Sequence, residues 1–152
     1  AELEIASRRI TVATTHLAFP PAFSKEREMQ ARKALDAIDQ FTADSATDAI
    51  ILTGDFNEEL DSPAVRAVLA SGHGFRDAYS ACHPGEPGAT FTSTNPYVGP
   101  NFIPGQRIDF IFATGKLEPI ECRLAFDGTA GLDFVSDHLG VLCVYGLTDA
   151  TA

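Results

Sequence analysis

The sequence predicts an α/β protein built on a mixed β-sheet with flanking helices. Three observations carry that prediction. Segments with the two-residue period of strands alternate with segments of helical period. Ala49 to Thr53 is apolar on both faces, the mark of a central strand covered on both sides. Ala31, Ala34, Leu35, Ile38 and Phe41 fall on one helical stripe, which reads as core packing. The 152 residues suffice for one compact domain with one core, and no repeat, low-complexity tract or linker divides them.

The elements follow in order. Glu2 to Ala6 reads as a strand, and Ser7-Arg8 as a hairpin turn. A second strand from Arg9 to His16 puts Ile10, Val12, Thr14 and His16 on one face. Phe19-Pro20-Pro21-Ala22-Phe23 is a rigid loop. Ser24 is the expected N-cap of a helix to about Phe41, although Arg27 stands where a capping box needs Glu. After the central strand, Ser62 as N-cap and Pro63 in the first helical position open a second helix. Val65, Val68 and Leu69 are its inward residues, and Gly72 closes it. Pro84 to Gly105 is a long surface excursion with a short strand near Thr90-Phe91-Thr92, and long loops of this kind are often functional. Three strands then run from Arg107 to Ala113, Leu117 to Phe126 and Leu139 to Tyr145, with a tight connection at Gly115-Lys116 and a Gly-rich loop from Asp127 to Asp137. Thr148 to Ala152 is expected to fray.

Composition narrows the function classes. The net charge is −10, from 11 basic and 21 acidic residues. No basic cluster exceeds Arg8-Arg9 or Arg32-Lys33, which argues against a non-specific grip on duplex DNA. No apolar run approaches the roughly 20 residues of a membrane helix. Cys82, Cys122 and Cys143 are odd in number and widely spaced, so no pair fits a zinc ribbon or redox dithiol. Cys122 and Cys143 are expected to pack as small hydrophobes within strands, a pattern that leans toward a reducing compartment, the cytoplasm. The chain opens in a strand without an initiator Met, so a processed or excised chain is expected.

Four groups of polar residues interrupt the pattern. His16 ends a strand of Thr and apolar residues; taken singly it reads as a structural histidine. Asp55 and Asn57 directly follow the central strand, at the carboxyl end where sites gather in open α/β sheets. In extended geometry the two point the same way, and a carboxylate beside an amide can hold a water and take its proton; the competing reading is a turn. Asp109 lies within Arg107-Ile108-Asp109-Phe110-Ile111-Phe112, opposite the face of Ile108, Phe110 and Phe112. A charge in a strong strand needs a partner, and His138 is the natural one. Asp137, adjacent to His138, must point elsewhere, which suits a metal ligand or a proton acceptor. Taken together, these groups match phosphoester hydrolysis. A base activates water, an imidazole stabilises transition-state charge, and hard oxygen ligands favour Mg²⁺ or Mn²⁺.

At these residues the chain resembles a known family. Thr14-Thr15-His16-Leu17, Gly54-Asp55-Phe56-Asn57, Arg107 to Phe112 and Ser136-Asp137-His138 resemble, in order, the C-terminal motifs of the endonuclease/exonuclease/phosphatase superfamily. The resemblance covers nearly the whole chain. It implies that Asp55 orients or deprotonates the attacking water, with Asn57 fixing it. It implies that His138, held by Asp109, contacts the scissile phosphate, that Asp137 is a metal ligand, and that His16 binds a phosphate oxygen across the cleft. The implied fold is a four-layer α/β/β/α sandwich of two similar halves, of which residues 1–152 form the C-terminal one. The N-terminal half, with its Asn and metal-binding Glu, is absent. An exposed apolar sheet face, met by that half or by self-association, is therefore expected.

The function expected is metal-dependent hydrolysis of a phosphoester, by a phosphodiesterase or phosphatase, with a small-molecule, lipid or nucleotide substrate favoured over duplex DNA. The alternative is a non-catalytic module that binds a phospho-ligand or a protein. Retention of Asp55, Asn57, Asp109, Asp137 and His138 together speaks for the enzyme. His73 and His83 read as surface residues; Tyr97, Phe91 and Phe102 as loop filling or as stacking surfaces for substrate.

Overall fold

A computed structural model describes residues 1–100, 102–129, 131 and 133–147. Strands β1 (Glu2–Ile5) and β2 (Arg8–His16) form an antiparallel hairpin. Its turn is Ala6-Ser7, both at positive φ (50° and 60°), one residue earlier than the sequence suggested. Two left-handed residues give the turn the twist that a two-residue hairpin requires. A 3₁₀ turn (Pro21–Phe23) leads into helix α1 (Ser24–Thr42), and strand β3 (Ala49–Asp55) returns parallel to β2. Ser24 is therefore not the N-cap: the 3₁₀ turn runs straight into the helix, Phe23 takes the cap position, and no side chain caps it.

Helix α2 (Pro63–Leu69) follows, with the Ser62 hydroxyl accepting from the Val65 amide as expected. Ala64, Val65, Ala67 and Val68 are its buried residues, while Leu69 is exposed, as is Phe41 at the end of α1. The α2 stripe turns toward Ala64 and Ala67 because small side chains let α2 lie close against α1 and the sheet. Ala70 caps the helix, and Gly72, with φ 86°, follows two residues later. Strand β4 (Arg76–Asp77) and helix α3 (Ala78–Cys82) are elements the periodicity did not show, since each is too short to express a period. They hold a buried ion pair: Arg107 donates to Asp77 at 2.6 Å and lies over the rings of Tyr79 and Phe110.

Strand β5 (Asp109–Ala113) pairs antiparallel with β3 and with β4. The main sheet is thus mixed, in the order β1-β2-β3-β5-β4, and a second sheet pairs β6 (Leu117–Ala125) with β7 (Gly140–Leu147). The short strand expected near Phe91 is a single bridge to Gln106. The expected fraying of Thr148 to Ala152 falls outside the described residues.

Two facts position the site. One face of the main sheet, with Ile50, Leu52, Phe110 and Phe112, is sealed under Leu35, Ile38, Val65 and Val68 of the helices. The opposite face is covered only in part. Leu117 and Tyr145 of the second sheet pack against Ile10, Ala49, Ile51 and Ala113, and Thr53 beyond them is half-buried. Ala49 to Thr53 is therefore covered fully on one side and at one end on the other, not on both.

The second finding concerns cysteine. Cys122 and Cys143 are directly opposed in the β6–β7 ladder and joined by a disulfide, leaving Cys82 as the free thiol. The expectation of two unlinked strand cysteines is corrected. Strand register brought them together, and wide spacing in sequence could not show it. Disulfides persist in oxidising compartments, so the lean toward the cytoplasm loses its basis. No helix among the described residues is long and apolar enough to cross a membrane.

Candidate active site

The register of the main sheet builds the site. His16 on β2, Asp55 on β3 and Asp109 on β5 are direct neighbours across three adjacent strands. They share the face that carries Ile10, Ala49 and Ala113, at the end the second sheet leaves open. A row of residues apolar at one end and polar at the other is what the sequence alternation of each strand encodes.

Side chains tighten this row. His16 Nε2 lies 3.3 Å from Asp55 Oδ2. His138 Nδ1 lies 2.8 Å from Asp109 Oδ2, the pairing expected from the sequence. Asp55, Asp109 and His138 each place one ligand-capable atom within 4.8 Å of the others. Burial pushes the Asp55 carboxyl above the ordinary carboxylate value and the Asp109 charge adds to this, while the Asn57 amide opposes it. The hydrogen bond to Asp109 raises the pKa of His138, against its own burial.

Asn57 departs from expectation. It sits at positive φ (50°), so it does not extend parallel to Asp55. Its amide N–H donates to Asp55 Oδ1 at 2.7 Å and its side-chain Nδ2 donates to the Leu17 carbonyl at 2.9 Å. The turn reading is the one the geometry bears out: the turn orients the carboxylate and ties the end of β3 to that of β2. Gly54 makes this closeness possible. A Cβ there would lie 1.9 Å from the Thr15 carbonyl oxygen, and its φ is +145°.

Asp137 is exposed and accepts from the Ser136 hydroxyl at 3.1 Å. It lines the same cleft but stands apart from the close group of Asp55, Asp109 and His138.

Sequence reasoning missed the supports beneath these residues. Thr90 is fully buried; its hydroxyl accepts from the Ile108 and Asp109 amides, and its carbonyl accepts from the Leu139 amide. One threonine thus fixes both Asp109 and the segment after His138. Buried Asn95 donates to the Ser136 carbonyl at 2.9 Å. Arg27 is buried and donates to the carbonyls of Ala18, Pro20 and Pro21 and to Glu58. Its position in place of a capping-box Glu was the available signal.

His73 and His83 are half-buried, not surface residues. His73 pairs with Asp39 against Phe75, and His83 stacks on Tyr79 and bonds the Cys122 carbonyl. Phe91 is buried with its ring 5.2 Å from that of His138, whereas Phe102 and Tyr97 are exposed.

Carboxylates and imidazoles thus gather at the open end of a mixed sheet flanked by helices. The sequence pattern of the Endonuclease/Exonuclease/phosphatase family matches residues 3–138, and the chain belongs to that family. Its fold is similar to that of the human Nocturnin catalytic domain with bound sulfate anion (TM-score 0.74, 21% identity, covering 97% of this chain and 50% of that one). It is also similar to D. rerio TDP2 complexed with single strand DNA product (TM-score 0.74, 21% identity, 95% and 59% covered). A third similar structure is Bacteroides thetaiotaomicron mannosyl-6-phosphatase (TM-score 0.71, 19% identity, 93% and 53% covered). The chain thus spans 50% to 59% of the length of these relatives. No curated protein matches it in sequence.

Proposed function

We propose that the chain is the C-terminal half of a metal-dependent phosphoester hydrolase, a phosphodiesterase or phosphatase. The observation that carries this reading is the cross-strand row His16–Asp55–Asp109, closed by His138 at 2.8 Å from Asp109. Ionised Asp55 accepts the proton of the attacking water, and the Asn57 turn aims the carboxylate. His138, kept protonated by Asp109, donates to the phosphoryl oxygens as negative charge builds there. His16 binds a phosphate oxygen from the other side of the cleft.

A carboxylate-rich donor set fits a hard divalent cation, Mg²⁺ or Mn²⁺, which takes one or two carboxylates and keeps several waters. Asp137 on the cleft rim is the ligand read for it, with Asp55 kept for the water and Asp109 for His138. When bound, the ion neutralises charge on the phosphate and leaving oxygen.

The N-terminal half of the sandwich is read as the missing partner. Ile120, Leu142 and Val144 leave large apolar side chains exposed on the second sheet, as do Leu3 and Ile5 on β1. Such a surface favours contact with a further layer or with a second copy. A small-molecule, lipid or nucleotide phosphoester is favoured over duplex DNA, because Glu59, Asp61 and Asp137 line the cleft. The test is hydrolysis of bis-p-nitrophenyl phosphate with Mg²⁺ or Mn²⁺ by this chain, by a longer form extended upstream, and by the longer form carrying His138→Ala. Turnover by the longer form alone supports the reading. An inert longer form with both metals and across a phosphoester panel would sink it in favour of a binding module.

A further inference from the structure

The cleft beside His138 has one wall that phosphate chemistry leaves unused. Phe19 and Phe102 are 57% and 46% exposed, and Ile103 beside them is 77% exposed. Single exposed hydrophobes are ordinary, but these rings form a series. Phe19 meets Phe102 edge-on at 5.9 Å, Phe102 meets buried Phe91 edge-on at 5.8 Å, and Phe91 meets the His138 ring at 5.2 Å. The ring contacts therefore run from exposed Phe19 and Phe102 through buried Phe91 to the imidazole, within a cleft of about 880 Å³.

The loop bearing Phe19 is held, not loose. Arg27 donates to the carbonyls of Ala18, Pro20 and Pro21 on either side of it, and the Ala18 amide donates to Gln30 Oε1 at 2.9 Å. Two prolines stiffen the segment further. The ring is thus presented toward solvent by a braced loop, when a looser one would let it fold inward.

The charged lining of the cleft decides what the rings receive. It includes Glu59 and Asp61, and its arginine, Arg27, is buried and already bonded to Glu58 at 3.0 Å. A second phosphate next to the scissile one would meet carboxylates with no free guanidinium among the described lining residues to offset them. A neutral planar group would meet exposed ring faces and edges instead.

We infer that Phe19 and Phe102 form a subsite for a neutral planar aromatic group attached to the scissile phosphate, which makes aryl or heteroaryl phosphoesters the preferred substrates. The inference rests on the phosphoester reading of the same cleft and adds to it the identity of the group beyond the phosphate.

Binding separates the two claims without requiring turnover. Phenyl phosphate and methyl phosphate carry the same phosphate head, and each is titrated into this chain in Mg²⁺ buffer while the Asp55 and His138 resonances are followed by NMR. The chain is expected to bind phenyl phosphate about tenfold more tightly. Phe19→Ala/Phe102→Ala brings phenyl phosphate down to the methyl phosphate level, and Phe102→Leu, which stays apolar but not planar, loses most of the preference. A dispersed amide spectrum confirms that each variant is folded. Equal binding of the two phosphates, with Asp55 and His138 still shifting, overturns the aromatic subsite and leaves the hydrolase reading standing. A preference that survives in the double variant overturns it too. If neither phosphate shifts Asp55 or His138, in this chain or in the longer form extended upstream, the subsite and the hydrolase reading fall together.

Discussion

His138 and Asp109 come from segments far apart in the chain, yet their 2.8 Å contact sets the protonation of the site. The bond raises the imidazole pKa above its ordinary 6.5. A raised folded-state pKa means the pair stabilises the fold fully below pH 6.5 and loses that contribution as pH rises through the folded value. Asp109→Asn is expected to bring the His138 ring titration, followed by NMR, back toward 6.5 or below; an unchanged titration would show that Asp109 is not its main partner. Asp55 behaves in the same direction for a different reason. Burial favours its neutral form, so ionising it costs stability as pH rises past its folded pKa, above the ordinary 3.8. Asp55→Asn should therefore raise stability at neutral pH in this chain and abolish turnover in the longer form, as denaturation midpoints of the one and hydrolysis rates of the other would check. The carboxylates and histidines of this row stood out in the sequence because each borders an apolar strand: His16 and Asp55 end β2 and β3, Asp109 opens β5 instead of lying inside a strand from Arg107, and His138 precedes β7. The left-handed Asn57 was not, since a two-residue spacing describes only an extended chain. Gly54→Ala tests the close approach that Asn57 ties down: with a Cβ 1.9 Å from the Thr15 oxygen, it is expected to cost about 3 kcal/mol or more in urea unfolding.

Among the elements, α1 and β3 followed from their apolar pattern, and α2 from its pattern and its cap, since Ser62 capped α2 as its position before Pro63 implied. Cap and stripe are local properties, so sequence reports them well. Ser24 failed as a cap because Pro21–Phe23 had already begun to coil, and β4 and α3 escaped notice because five residues or fewer carry no readable period. Those two short elements still matter to the fold. Arg107 and Asp77 are both buried, and Arg107 enters the sheet just before Asp109. Arg107→Ala leaves a buried carboxylate without its cation and is expected to destabilise by roughly 3–5 kcal/mol. Denaturant titration would show this, and a loss under 1 kcal/mol would mean that Asp77 is reached by water.

For the whole molecule, the β6–β7 disulfide and the exposed apolar side chains of the second sheet are the leading features. The bridge closes 21 residues of sequence separation, and reduction is expected to cost about 3 kcal/mol through the unfolded chain. Thermal melts with and without reductant measure it, with Cys122→Ala/Cys143→Ala as the control that reductant should not affect further. Exposed Ile120, Leu142 and Val144 lie on the outer face of the second sheet, where Glu121 and Arg123 stand opposite Val144 and Leu142, so that face is apolar in part. Apolar side chains of that size on an open sheet face favour a covering surface. Sedimentation of this chain is expected to show concentration-dependent association, reduced by Leu142→Lys/Val144→Lys.

By itself the sequence determined the α/β class, the central strand, the helical stripes and the set of polar residues that do not belong in strands. These depend on neighbours along the chain, where period and residue type act directly. The tertiary structure alone decided that Cys122 faces Cys143, that one face of the central strand is open at its polar end, and that Phe19, Phe102 and Phe91 line up toward His138. Each of these depends on register or on loops converging from distant positions, and no local property of the chain encodes a distance between residues it does not itself connect.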